Sequence, residues 1–360
     1  MDKPPTAVVE LEDKPCPLCG SSRASSYLRS GDFFNGVPGE FQIVRCLDCR
    51  HLYMNPRPTL DTILNCYPAD YGPHQVAVPM SQAPVPAPVA DTQTTAVPTA
   101  QRPWYLSPSV RRIPGLRALY YWLTKTYGDF IPSEVGPGSR AVELGCATGT
   151  FLEKLRAVGC QAEGVEPVAS AAEEAKRRGF RVHVGTLESA TLEGDSCDAA
   201  FAWMVIEHLT NPRETLLELK QVLRPDGWLV FSVPNAGCWE PYLFGRNWWC
   251  YELPRHLQHF TVARLKRLLT ECGYDRISVI HQHNAMNLVI SVGIVLRRWF
   301  PHSRWAVSLV EWPNHPTLWP QLALAPLAKV LAWLRQGGRL TIVARKPCSR
   351  AIENRGAVVS

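Results

Sequence analysis

The residues whose type and spacing best suit them to chemistry are four cysteines, two glutamates and three histidines. Cys16-Pro-Leu-Cys19-Gly20 and Cys46-Leu-Asp-Cys49 are two C-x2-C knuckles with 26 residues between them. Four thiolates carried on two tight turns make a closed tetrahedral zinc site with no open position for catalysis. The zinc is expected to be structural, a staple for a domain too small to be held by its own core. Arg50 stands where many such knuckles have glycine, and His51 is an alternative ligand beside an already complete set. The other eight cysteines show no pairing and read as small buried hydrophobes.

The glutamates frame a glycine-bearing turn. Val142-Glu143-Leu144-Gly145-Cys146-Ala147-Thr148-Gly149 leaves a β-like run and opens a helix near Thr150. Small residues there let the backbone approach a ligand closely, and the helix start offers N–H donors. Glu166 follows Gly145 by 21 residues, at the end of the next β-like run, where a carboxylate can accept both ribose hydroxyls. That much also fits a dinucleotide. However, the spacing is acid-x-G-x-x-x-G and not G-x-G-x-x-G, because Thr150 occupies the third glycine's place. Glu143 would repel a pyrophosphate and attract a cationic amino-acid group. S-adenosylmethionine (SAM) carries such a group with ribose and adenine but no phosphate, and it is the expected cofactor.

Methyl transfer from an activated sulfonium requires an aligned acceptor and, for a hydroxyl, a group to take the proton. His208, in Ile206-Glu207-His208, and His256 and His259, in Pro254-Arg255-His256-Leu257-Gln258-His259-Phe260, are the candidate catalytic bases. Histidine suits a phenol or enediol acceptor near neutral pH. The competing reading has His208 bonded to a loop and His256 and His259 bracing the segment before a helix at Thr261. Trp248, Trp249 and Tyr251 read either as walls of an acceptor pocket or as core.

These groups need a scaffold. The chain has 360 residues, 46% hydrophobic and 19% charged, enough for a large folded domain with appendages. AVEL (141–144), AEGVE (162–166), RVHVG (181–185), DAAFAWMV (198–205) and WLVFSV (228–233) read as strands, with helical runs between them. Such alternation implies a parallel, doubly wound sheet. Asn211, Pro212 and Glu214 predict an N-cap, a first-turn proline and a capping box for one of the helices. Residues 73–103 hold seven prolines among Ala, Val, Thr and Gln and read as an extended linker. Residues 286–336 hold five of the chain's tryptophans and five prolines, the latter expected to break the segment into short helices. The acidic, proline-bearing N-terminus does not read as a signal peptide, and twelve cysteines without one suit a reducing cytoplasm.

Taken together, VELGCATGTFLEKL, GVEP, HVGTLE, AWMVIEHLTNP, VLRPDGWLVFSVPN and ELPRHLQHFT resemble the class I SAM-dependent methyltransferases. The likeness is to a bacterial subgroup similar to the ubiquinone-type O-methyltransferases, with an N-terminal zinc ribbon. It implies an α/β fold: a Rossmann-like, seven-stranded, doubly wound sheet with a terminal antiparallel hairpin, RISVI (276–280) against RLTIVARK (339–346). It also implies a zinc-ribbon domain over 1–72, a methyltransferase domain over 104–350 with 286–336 inserted in the hairpin, and a tail, 351–360. By resemblance, Glu143 and the turn residues Gly145, Cys146, Ala147 and Gly149 cradle the methionine part of SAM. Glu166 would hold the ribose, and Thr186 and Leu187 would border adenine. Ala147 replaces a usual glycine. Some relatives carry an acid three residues before Glu207 and use it with a divalent cation; here that residue is Met204, so the resemblance does not imply a catalytic metal. A helix expected over 115–127 would cover the cofactor or pack in the core.

The expected activity is O-methylation of a small or lipid-carried acceptor: a quinone, isoprenoid or glycan. The alternatives are a zinc-bearing rRNA base methyltransferase and an inactive SAM-fold scaffold. Residues 1–103 carry 8 basic and 10 acidic side chains, which disfavours nucleic acid as partner. Residues 285–360 carry 10 basic and 2 acidic ones, so the net charge of +6 is concentrated beside those five tryptophans. That pattern suggests peripheral contact of 286–336 with the anionic inner face of a membrane; a roof over the active site and a dimer contact are the other readings.

Overall fold

A computed structural model of the chain describes residues 8–33, 36–67, 125–312 and 318–348. The expected linker 73–103 and tail 351–360 lie outside the described residues. So does the helix expected over 115–127, except for its last three residues, which are not helical. The N-terminal zone forms β1 (Leu11–Glu12), β2 (Ala24–Ser30), β3 (Phe41–Cys46), β4 (Leu52–Met54) and β5 (Arg57–Pro58). The alternating part follows as β6 (Arg140–Leu144), α1 (Thr150–Ala157), β7 (Gln161–Glu166), α2 (Ala169–Arg177), β8 (Arg181–Val184), β9 (Cys197–Trp203), α3 (Pro212–Val222) and β10 (Leu223–Pro234). Next come α4 (Glu240–Phe244), β11 (Gln258–His259), α5 (Val262–Glu271) and β12 (Asp275–His281). Helices α6 (Met286–Trp299), α7 (Arg304–Glu311) and α8 (Leu318–Trp333) precede the last strand, β13 (Arg339–Arg345).

Seven strands form one sheet in the order β12-β13-β10-β9-β6-β7-β8. Strands β6 to β10 run parallel, while β13 runs antiparallel to both β10 and β12. This is the doubly wound sheet with a terminal hairpin. In β9, Ala199, Ala200, Phe201 and Ala202 are fully buried, as a strand covered on both faces requires. The order reverses between β6 and β9, so loops leaving these two strands diverge and leave a crevice at their carboxyl ends.

Two local expectations need correction. Pro212 opens α3, but Asn211 makes no side-chain cap, so the capping box is not formed. The Asn211 backbone (φ −130°, ψ 69°) is not in the extended conformation a capping side chain needs, and its carbonyl instead accepts from Thr215 N and Oγ1. In the late insertion, α8 runs through Pro326 for 16 residues and is not broken by it. The insertion is nonetheless helical, and it interrupts the β12–β13 hairpin.

The cysteine-bearing N-terminal zone belongs to the same compact unit as the sheet. Strand β4 pairs antiparallel with β11, giving a second sheet of order β11-β4-β3-β2. Phe41, Ile43 and Met54 share one apolar core with Trp248, Cys250, Tyr251 and Leu257. Trp248 and Tyr251 are thus core and not pocket wall. The junction is fixed by Arg255, whose guanidinium donates to both oxygens of Asp32 (2.9 and 3.0 Å) and to the Cys66 carbonyl (3.1 Å). Both side chains of the pair are fully buried. Asp32→Ala, which removes the bidentate carboxylate from the buried Arg255 guanidinium, should cost about 3–5 kcal/mol in urea unfolding. Glu173→Ala, which removes an exposed partner of Lys176, should cost at most about 0.5 kcal/mol in the same assay.

Candidate active site

At the carboxyl end of β6, Glu143 is buried and its Oε2 has no hydrogen-bond partner. Burial, and then the neighbouring Glu166, push its carboxyl well above the ordinary range. Glu166 ends β7. Its Oε2 accepts from Ala147 N and its Oε1 from Val168 N, both at 2.9 Å. Burial raises the Glu166 pKa, while these N–H donors oppose the rise. Two acceptor bonds leave lone pairs on the carboxylate for a ligand's hydroxyls. Gly185 N donates to the Glu166 carbonyl, which brings Thr186 and Leu187 to the same strand ends. Leu187 is buried, and Thr186 Oγ1 donates to Glu188.

The turn between Glu143 and α1 is left-handed at Gly145 (φ 70°), Ala147 (φ 46°) and Gly149 (φ 84°). A Cβ on Gly145 would lie 2.5 Å from Val205 Cγ2, so this glycine lets the turn pack against the segment leaving β9. The Cys146 side chain packs toward Gly164 of β7, where an added Cβ would stand 2.4 Å from its Sγ. Cys146 therefore offers the turn its main chain and not its thiol.

Past β9, Ile206–His208 forms a short 3-10 turn in which Glu207 is fully buried. Neither Glu207 carboxylate oxygen has a partner, and burial raises its pKa to about 8. His208 Nδ1 lies 3.1 Å from the Arg255 carbonyl and 3.0 Å from Tyr67 Oη. Its ring stands nearly perpendicular to that of His256, with centroids 4.6 Å apart. His256 Nδ1 lies 2.8 Å from the Cys250 carbonyl, and its Nε2 3.4 Å from Glu252 Oε2. Burial lowers the His256 pKa, with Glu252 opposing. The metal-ligating atoms of Glu207, His208 and His256 all lie within 4.8 Å of one another. Two of the three candidate histidines are thus brought together. His259 is not in this group: it sits on β11 with its ring edge-on to Tyr251, and burial holds it well below the ordinary histidine range. Sequence reasoning gave Glu207 no role, although a lone acid in the run AWMVIEHL was a signal for one.

The four cysteines converge as their spacing requires. Cys16 Sγ is 3.5 Å from Cys49 Sγ, and Cys19 Sγ is 3.6 Å from Cys46 Sγ. Gly20 (φ 72°) and Arg50 (φ 65°) take the same left-handed conformation, so Arg50 completes its knuckle without a glycine. His51 turns away from the sulfurs, with its Nε2 2.9 Å from Gln258 Oε1. Gln258 in turn donates to the Leu209 carbonyl, one residue past His208 (2.9 Å). Burial lowers the His51 pKa to about 4, so the ring is a neutral donor in this relay.

A family model described as a methyltransferase domain matches residues 122–279. Among curated relatives, an uncharacterised 37.1 kDa transposon protein of Streptomyces fradiae is 35% identical over 28% of this chain and 31% of its own length. A malonyl-[acyl-carrier protein] O-methyltransferase of Serratia marcescens is 26% identical over 42% of this chain and 58% of its own length. The chain thus spans about a third and somewhat over half of these two relatives. A ubiquinone biosynthesis O-methyltransferase of Aromatoleum aromaticum is 24% identical, over 46% and 77%. A solved S-adenosylmethionine-dependent methyltransferase of Mesorhizobium loti is 20% identical and covers 64% of this chain and 96% of its own, with a TM-score of 0.42.

The geometry of the turn makes two opposite substitutions informative. Ala147→Gly relieves a left-handed alanine and should raise Tm by a few degrees, about 1 kcal/mol of strain being removed. Gly145→Ala adds both strain and the contact with Val205, and should lower Tm by several degrees in the same thermal melt.

Proposed function

We propose that this chain, whose residues 122–279 match a methyltransferase-domain model, is a SAM-dependent enzyme that methylates an oxygen of a small or lipid-carried acceptor held against Glu207, His208 and His256. The observation that carries the cofactor reading is the buried Glu143 carboxylate with its unpartnered Oε2, one strand away from Glu166. Lys154, whose charge opposes the rise in the Glu143 pKa, is itself engaged by Asp129 at 2.6 Å. A buried carboxylate without a partner is costly, and a ligand ammonium would remove that cost. Glu166 keeps lone pairs for ribose hydroxyls, and Thr186 and Leu187 flank the adjoining strand end. When bound, SAM would supply a methyl group already activated by its sulfonium.

The protein's remaining task is to orient the acceptor and accept its proton. His208 and His256 each have Nδ1 against a backbone carbonyl; Nδ1 of His208 also meets Tyr67 Oη, and Nε2 of His256 faces Glu252 Oε2. His259 supports the wall from β11. The four thiols fit a structural zinc: sulfurs about 2.3 Å from zinc stand roughly 3.8 Å apart in a tetrahedron, close to the two spacings above.

A lipid-carried acceptor is favoured by the turn joining α6 to α7. It presents Trp299 (74% exposed), Phe300 (60%) and Trp305 (82%) among Arg297, Arg298 and Arg304. On α8, Leu327, Val330 and Trp333 are also exposed, at helical spacing, as is Leu334 just past its end. Apolar rings beside arginines suit an anionic lipid surface, each cation adding roughly 1 kcal/mol. No helix among the described residues is long and apolar enough to cross a membrane. In this reading the enzyme works in the cytoplasm, attached to the inner face of the membrane.

Calorimetric titration with SAM tests the cofactor site: the folded, zinc-loaded chain should give a saturable heat, and Glu166→Ala should weaken binding by about 10- to 100-fold. No heat from the folded wild-type chain would overturn the enzyme reading. For the surface, the chain should sediment with vesicles containing anionic lipid at low salt and be released at high salt. Trp299→Ala combined with Trp305→Ala should abolish this; equal binding to purely zwitterionic vesicles would remove its electrostatic basis.

A further inference from the structure

Residues 207–210 leave the carboxyl end of β9 and carry His208. Two main-chain bonds run along the chain here, from His208 N to the Val205 carbonyl (2.9 Å) and from Leu209 N to the Ile206 carbonyl (3.4 Å). The four residues are also met, one after another, by distant parts of the chain. Leu257 N donates to the Glu207 carbonyl (2.8 Å), and the Leu257 carbonyl accepts from Met54 N on β4 (2.9 Å). Tyr67 Oη lies 3.0 Å from His208 Nδ1. Gln258 donates to the Leu209 carbonyl and meets His51 Nε2, both at 2.9 Å. Arg57 Nη1 donates to the Thr210 carbonyl (2.9 Å), and its Nε donates to Glu12 (3.2 Å). Every one of these contacts ends on the N-terminal zone, directly or through β11 and the residue before it.

A short turn with few bonds of its own opens easily, so the donors that reach it from elsewhere decide where it stands. His51, Met54 and Arg57 all follow Cys49 within eight residues. The second knuckle begins that stretch, with Cys46 N donating to the His51 carbonyl (2.9 Å). The Arg57 side chain is only 12% exposed. A guanidinium so far out of water needs acceptors matched to its fork, and here they are a carboxylate and the Thr210 carbonyl. We infer that Arg57 and Gln258 are positioning residues for the segment that carries His208. Through His51 to Arg57, the cysteine-bearing knuckle then sets the order of the acceptor wall.

This inference deepens the acceptor-wall reading and rests on it for its catalytic meaning. Groups that align an acceptor must be held closely, since a misplacement of about 1 Å can cost on the order of 100-fold in rate. Neither Arg57 nor Gln258 is asked to touch the acceptor. Each grips a backbone carbonyl next to His208, and the ring moves only as that backbone moves. The N-terminal zone is in this way part of the acceptor site and more than an appendage stapled by its thiols.

The test is backbone hydrogen exchange on the full, zinc-loaded chain, read by mass spectrometry with β10 as the internal reference. Arg57→Met keeps the reach of the side chain and removes its donors. Peptides over 206–211 should exchange at least 10-fold faster in this variant, while β10, the zinc content and the heat of SAM titration stay as in the wild type. Arg57→Lys, which keeps a donor, should restore part of the protection. The His208 ring resonances, assigned by their loss in His208→Asn, should shift in Arg57→Met. Chelating the zinc from the wild-type chain should speed exchange in 206–211 before β10 responds. If 206–211 exchange at the wild-type rate in Arg57→Met, or stay protected in a zinc-free chain whose residues 46–51 exchange freely, the inference is overturned. Equal acceleration of β10 would make Arg57 a support of the whole fold and would overturn it as well. SAM heats keep the readings apart: a wild-type chain without SAM heat, but with the response in 206–211 intact, would sink the methyltransferase reading alone.

Discussion

The arrangement of both sites depends on one buried cation, Arg255. Its guanidinium holds Asp32 and the Cys66 carbonyl from the N-terminal zone, while its own carbonyl faces His208 Nδ1. One residue therefore anchors the cysteine-bearing segment to the sheet and fixes the ring orientation of a candidate catalytic histidine. A guanidinium without solvent is tolerable only when its donors are met, and here a bidentate carboxylate, a second acid and a carbonyl meet them. The pairing of β4 with β11 and the His51–Gln258–Leu209 relay reinforce the same junction. The knuckles thus stand a few bonds from the histidine wall, and whatever orders the thiols also orders that wall.

The two groups of buried acids meet the same electrostatic difficulty in different ways. Glu166 is partly satisfied by backbone N–H groups of the turn it faces, whereas Glu143 keeps an unpartnered oxygen beside it. Neither carboxylate oxygen of Glu207 has a hydrogen-bond partner among the described residues, and nitrogens of His208 and His256 lie within 4.8 Å of it. Burial alone would keep such acids protonated, and the chain spends stability wherever it holds them. Concentrating these groups at the carboxyl ends of β6, β7 and β9, around the point where the strand order reverses, is what a binding crevice requires.

Local sequence carried the sheet well because its strands are short apolar runs that no helix period fits. VELGCATG and GVEP also announced the turn and its two acids, since glycine and carboxylate at fixed spacing have few other uses. The capping box at Asn211 failed because backbone conformation, not residue type, decides whether a cap reaches. Pro326 was tolerated inside α8 although proline removes a donor. The two-residue strand β11 has no periodicity to read, so its partnership with β4, some 200 residues away, was invisible. Glu207 was overlooked for a related reason: its burial and its lack of a partner arise only when distant segments close around it.

The insertion between β12 and β13 connects to the same wall. Asn287, in the first turn of α6, donates to the Gly338 carbonyl and accepts from Arg339, whose guanidinium lies over Trp249. Ser291 Oγ, one turn further on, accepts from Trp249 N. Trp249 adjoins Cys250, whose carbonyl holds His256. The exposed Trp299 lies at the other end of the helix, roughly 18 Å from Asn287 at 1.5 Å per residue. A surface that grips lipid at Trp299 would therefore bear, through one helix, on the segment that holds His256. An enzyme acting on a lipid-carried acceptor gains from such a link, because attachment and alignment then involve the same element.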